Sequence, residues 1–176
     1  MRYPSCMTTP DTRTPSVSTL DIEGPVQAEV FVIWLHDERI ELTGPCGAAP
    51  WYIELEATDH PVEAVNRIVS DVLGPPRLLH STSWRRDRDS VILSFAVIIE
   101  AEQARGMESA PIDRAELARS EATAAPRSIA HTQVIEHGLR HLAWLIRDDP
   151  VVLAELPEPW PSLLAGYLPE PFRNLG

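Results

Sequence analysis

Residues Val26 to Leu35 read VQAEVFVIWL, and this run limits the fold more than any other stretch of the chain. It alternates at first and then turns apolar on both faces, as a strand at the centre of a sheet does. His36, Asp37, Glu38 and Arg39 form a polar turn, and IELT from Ile40 to Thr43 resumes as the second arm of a hairpin. Gly44, Pro45, Gly47 and Pro50 mark a loop, after which a third strand is expected at Trp51 to Leu55.

Helical signals follow. Asp59 and His60 precede Pro61, which suits a first helical turn because its missing amide hydrogen would have been unpaired there. The helix is expected to reach Leu73, where Gly74 can take a left-handed conformation and Pro75 with Pro76 forbids continuation. At 100° per residue, Val62, Val65, Ile68, Val69, Val72 and Leu73 share one broad arc, with Glu63, Arg67 and Ser70 on the other side and Asp71 at the border. RLLHSTSW, Arg77 to Trp84, and SVILSFAVII, Ser90 to Ile99, read as two strands joined by the charged turn Arg85 to Asp89. Alternating strands and helices make the chain α/β.

Glu100 to Ala125 is polar and alanine-rich and reads as a mobile excursion, with at most a short helix around Asp113 to Glu121. Pro126 opens a second long helix to about Arg147, whose stripe of Val134, Ile135, Gly138, Leu139, Leu142, Leu145 and Ile146 is expected to cover one sheet face. Leu156-Pro157-Glu158-Pro159-Trp160 is echoed twelve residues on by Leu168-Pro169-Glu170-Pro171-Phe172, which favours an extended arm with aromatic anchors. The expected organisation is a flexible tail over 1–24, a folded domain over 25–155 and an arm over 156–176.

With 176 residues and 44% apolar content, one domain can bury its core without staples. A formal net charge of −11 repels phosphate backbones and anionic lipid, so neither nucleic acid nor membrane is expected as a partner. Every basic residue is arginine, which removes phosphate-loop lysines and Schiff-base chemistry. Cys6 and Cys46 lack metal-ligand spacing, and Met1 to Thr19 holds no continuous apolar stretch, so the sequence reading favours a reducing cytoplasm.

The order of elements, together with the helix that ends in glycine, resembles a Nudix domain across roughly Val26 to Ile99. That family's signature runs G, five residues, E, seven residues, then R-E-U-x-E-E-x-G-U, with U a bulky apolar residue. Arg67 and Gly74 match at the right separation, Asp59 stands for the first glutamate, Val69 fills the first apolar position, and Pro61, Ala64 and Val65 resemble common choices. The departures fall where the chemistry sits: Ile68 replaces the glutamate after arginine, Asp71 replaces the next acid conservatively, Val72 replaces the last, and Ile53 replaces the leading glycine. The resemblance implies an α/β/α sandwich with a mixed, mainly antiparallel sheet. In the family, carboxylates at i, i+3 and i+4 share a helix face and converge on magnesium bridging a diphosphate. Here three ligands have become one, and Mg²⁺ dehydrates too reluctantly to rely on Asp71 alone.

The expectation is therefore a degenerate Nudix-like module without catalytic residues or a resident cofactor. It retains Asp59, Arg67, Asp71 and Gly74 as remnants, with Asp59 and Arg67 able to pair and brace loop against helix. It would bind a small, nucleotide-like ligand. One alternative is an active, Mg²⁺-dependent diphosphate hydrolase that recruits Glu54, Glu56 or Asp59, with Glu56 and Asp71 as metal candidates. Another is a homo-oligomer, simplest as a homodimer, whose aromatic arm docks on a neighbour.

Lesser signals carry their own alternatives. Trp84 with Arg85, Arg86 and Arg88 could stack on and pair with an anionic ligand, although charged hairpin turns are more often solvated. His137 and His141 stand at i, i+4 beside Glu136, a zinc-ligand spacing that lacks a third ligand. Asp59, His60 and Glu63 are explained by the helix dipole as well as by a metal. Trp144 falls opposite the apolar stripe of its helix, where a contact with another element or subunit would cover it.

Overall fold

The computed structural model describes residues 24–56, 58–117 and 129–168. The 1–23 tail, the part of the excursion over 118–128 and the end of the arm over 169–176 lie outside them. Strand β1 (Val26–His36) is the axis of a six-stranded mixed sheet. One of its edges pairs in parallel with β5 (Ser90–Ile98). The other pairs antiparallel with two strands in succession, β3 (Trp51–Leu55) along its first half and β2 (Arg39–Thr43) along its second. Strand β4 (Leu78–Asp87) flanks β5, and the short β6 (Ser109–Pro111) flanks β2, both antiparallel.

Strand alternation divides β1 between two cores. Ala28, Val30, Val32 and Trp34 pack with Ile53, Leu55, Phe95 and Val97 beneath α1 (Pro61–Leu73), which contributes Ala64, Val65 and Val69. Phe31 and Ile33 face the other way, where Ile40, Leu42, Ala96 and Ile98 meet α2 (His131–Asp148) through Val134, Ile135, Leu139 and Leu142. The continuous apolar stretch of β1 is thus matched by a helix on each face. Among the described residues no helix is long and apolar enough to cross a membrane.

The bounds of α1 agree with the sequence signals. Pro61 opens it, and Gly74 at φ 85° closes it, its amide donating to the Ser70 carbonyl. Only the middle turns of α1 are well buried, however. Val72 shares the apolar arc yet is 55% exposed, and Ile68 is half-buried at the margin of the core.

Three expectations are corrected. Glu100 to Leu117 is no loose excursion, because Ala104 is buried under α1, Gln103 donates to the carbonyls of Leu73 and Pro75, and β6 pairs with β2. No helix forms over 113–117; there Arg114 reaches across to Glu136. The second long helix begins at His131 and not at Pro126. Lastly, Leu156 to Leu168 is no extended arm. It continues through α3 (Pro150–Glu155) into α4 (Trp160–Ala165), and Leu156, Trp160, Leu164, Tyr167 and Leu168 are buried with α2. The prolines do not keep this segment extended, because Pro159 stands at the N-cap of α4 and Pro161 in its first turn, where no amide is required.

Candidate functional site

A cleft beside the start of α2 is lined by Gln27 and Glu29, near the beginning of β1. Glu29 stands there with no exposed surface. Strand register sets Tyr52 of β3 on one side of it and Ser94 of β5 on the other, while Arg85 reaches in from β4. A buried carboxylate is costly unless its lone pairs are filled. Here Oε1 accepts from the Tyr52 hydroxyl at 2.8 Å and from Arg85 Nη2 at 2.9 Å, while Oε2 accepts from Arg85 Nη1 at 2.5 Å and from the Ser94 hydroxyl at 3.3 Å. Burial and the hydrogen bond to Glu29 push the Tyr52 hydroxyl up to about 12, so it remains a donor throughout the physiological range. Burial also works against the Arg85 cation, but the bonds and charge of Glu29 outweigh it and raise its pKa.

This network floors a polar cleft of about 450 Å³ whose rim includes Gln27, Arg86, Asp87, Ile129 and His131. A second, more apolar cleft of about 190 Å³ runs between β4 and the start of α2, lined by Leu117, Ile129, Val134, His137 and others. Arg85 and Ile129 line both. At the start of α2, the Gln133 side chain accepts from the Ala130 amide, which caps the helix without an acidic residue in its first turn.

The sequence-derived residues are spread over different parts of the fold. Register places Arg85 opposite Ile92 and Trp84 opposite Leu93, and Trp84, 70% exposed, lines the smaller cleft together with Arg85. Arg86 is exposed on the rim of the polar cleft, and Arg88 sits in the hairpin turn at φ 52°. Arg85 thus shares the smaller cleft with Trp84 and the polar cleft with Arg86, and Arg88 lines neither. Asp59 accepts the Glu56 amide at 3.2 Å and makes no ion pair with Arg67, so the expected brace is absent. Asp59 precedes α1 and Asp71 is in its last turn, about 15 Å along the helix from Pro61 at 1.5 Å per residue. Asp71 and Val72 are exposed, and no residue of α1 lines either cleft. Glu54 alternates with Ile53 and Leu55 and so shares the Tyr52 face, opposite α1. Among the described residues, no three His, Cys, Asp or Glu side chains converge as a metal site.

Two further polar groupings escaped the sequence reading. His80 of β4 stacks on His141 at 5.0 Å between ring centroids, and burial lowers the pKa of both. Glu136, also fully buried, accepts from Arg114, Arg140 and the Ala115 amide. Burial would raise its pKa, and those bonds bring it below the ordinary value. Arg114 also stacks over Tyr167, so Glu136 ties residues 114–115 and the C-terminal turn to α2.

Comparison with known proteins gives no matching family model and no matching curated protein.

Proposed function

We propose that the chain is a noncatalytic, Nudix-like module that binds a small nucleotide-like ligand in the cleft at the start of α2. The observation that carries this reading is the pairing of the fully buried Glu29 with the partly exposed Arg85 beneath a cleft of about 450 Å³. A carboxylate whose lone pairs are filled holds its arginine partner in place, and rigid polar groups under a concave surface favour ligand recognition. The helix that would carry magnesium in an active Nudix enzyme has Ile68 and Val72 beside a lone exposed Asp71, which supports binding without metal-assisted hydrolysis.

Calorimetry with ADP-ribose and AMP, each with and without Mg²⁺, tests the proposal. Binding of the same strength in both conditions, without phosphate release or cleavage, is expected. No heat at millimolar ligand would refute it. Mg²⁺-dependent cleavage abolished in Asp71→Ala would instead establish the hydrolase alternative. A homo-oligomeric reading has one observation in its favour, the exposure of Val151 and Leu153 on α3. Light scattering that reports a dimer, converted to monomer by Val151→Asp with Leu153→Asp, would support it, and a monomeric wild type would exclude it.

A further inference from the structure

The guanidinium of Arg85 has two edges able to grip a pair of oxygens. Glu29 occupies the edge formed by Nη1 and Nη2, through bonds of 2.5 and 2.9 Å. Ser94 takes a further contact from Nη1 at 3.3 Å. The other edge, formed by Nε and the second hydrogen of Nη2, has no hydrogen-bond partner among the described residues. Its Nε is not sealed from solvent either, since the Trp34 indole nitrogen is the only described buried side-chain nitrogen or oxygen without a partner. The side chain is 18% exposed and lines the polar and the apolar cleft alike.

We propose that this free edge is an anion receptor at the junction of the two clefts, and that the ligand is a small molecule joining a phosphate or carboxylate to an apolar ring. The proposal rests on the binding function inferred above and specifies the chemistry of its ligand. Bidentate pairing places two acceptor oxygens against Nε and Nη2, a geometry that a guanidinium offers and an ammonium does not. The attached ring then enters the 190 Å³ cleft against Ile129 and Val134. Glu29 acts as a positioning residue: it holds the opposite edge and so removes the rotamer freedom that an exposed arginine would lose on binding. Because Glu29 also neutralises the cation, affinity requires both parts of the ligand, and a bare anion should bind poorly.

NMR titration of the full chain, following the Arg85 Nε–H resonance, tests this with phenyl phosphate, phenylacetate, inorganic phosphate and benzylamine. Phenyl phosphate or phenylacetate is expected to shift that resonance with millimolar affinity, and the stronger of the two identifies the preferred anion. Inorganic phosphate is expected to bind at least about tenfold more weakly, and benzylamine not at all. Arg85→Lys, which keeps the charge and loses the fork, should weaken the better probe about tenfold or more. Ile129→Asp places a carboxylate at the junction without touching the buried pair, and should do the same even if the lysine variant fails to fold. Benzylamine binding as well as phenyl phosphate, or aryl-anion affinity unchanged in Ile129→Asp, overturns the inference. ADP-ribose binding that leaves the Arg85 resonance unmoved would also overturn it while leaving the proposed function intact. Aryl-anion binding with no response to ADP-ribose or AMP would support the receptor and refute the nucleotide-like ligand.

Discussion

Arg85→Met should be among the most damaging single substitutions in the chain, and the reason lies in what it leaves behind. Two unit charges about 4 Å apart attract by roughly 4 kcal/mol at an effective dielectric near 20. Desolvating each ion costs several kcal/mol, so the intact Glu29–Arg85 pair contributes little net stability. Removal of the arginine alone leaves a carboxylate with no exposed surface and only Tyr52 and Ser94 to satisfy it. An uncompensated buried charge of this kind costs about 3–5 kcal/mol. For a chain of this size each kcal/mol moves Tm by about 2–4 °C, which gives a fall of about 6–20 °C. Urea denaturation at pH 7.5 measures the loss, and a double-mutant cycle with Glu29→Leu isolates its origin. Glu29→Leu with Arg85→Met should recover most of the stability, since neither charge then remains. A single-variant loss under about 1 kcal/mol, or a double variant no better than Arg85→Met, would refute the reasoning.

Three further outcomes follow from the same kind of argument. His80 and His141 have pKa values lowered by burial, so between those values and the ordinary 6.5 the unfolded chain binds more protons than the folded one. Stability should therefore fall as pH drops below about 6.5, and His141→Gln should flatten that part of the curve; an unchanged slope contradicts the assignment. Glu136→Ala removes an acceptor of four hydrogen bonds and should cost about 2–3 kcal/mol. It should also speed hydrogen exchange at the Ala115 amide, and intact protection there would show that Glu136 does not tether the segment. Gly74→Ala places a Cβ 3.1 Å from Gln103 Nε2 at φ 85°, and a loss of about 1–3 kcal/mol is expected in thermal denaturation. A neutral result would mean that neither strain nor crowding is present at that helix end.

Where local chemistry decides the structure, the sequence was readable. Pro61 and the Gly74-Pro75-Pro76 stop delimit α1 without help from the rest of the fold, and the doubly apolar run of β1 required cover on two sides. Where tertiary pairing decides, it was not. Ser109–Pro111 is too short to show a period and is a strand because β2 offers it an edge. In Leu156 to Leu168 the repeated Pro-Glu-Pro pattern favours an extended chain, yet Pro161 sits in the first turn of α4 and the intervening apolar residues complete the α2 core.

The site was the hardest part to read. Glu29 lies in the alternating start of VQAEVFVIWL, and a carboxylate within a strand destined for burial signals a cation nearby. Arg85 is legible as a candidate anion-binding residue of the charged turn, and the continuation of β4 to Asp87 is what brings it over the sheet. His80, some sixty residues before His141, gave no sign of their stacking. Val72 sits on the apolar arc of α1 but in its last turn, where periodicity alone does not reveal exposure.

The most direct test of ligand binding without metal chemistry is a backbone amide NMR titration with ADP-ribose, run with Mg²⁺, with Mn²⁺ and with neither. Shifts should cluster at Gln27, Tyr52, Ile129 and His131, unchanged by Mg²⁺ and without paramagnetic broadening along Arg67 to Val72. Mn²⁺ broadening centred on Asp71, accompanied by cleavage of the ligand, would contradict the account.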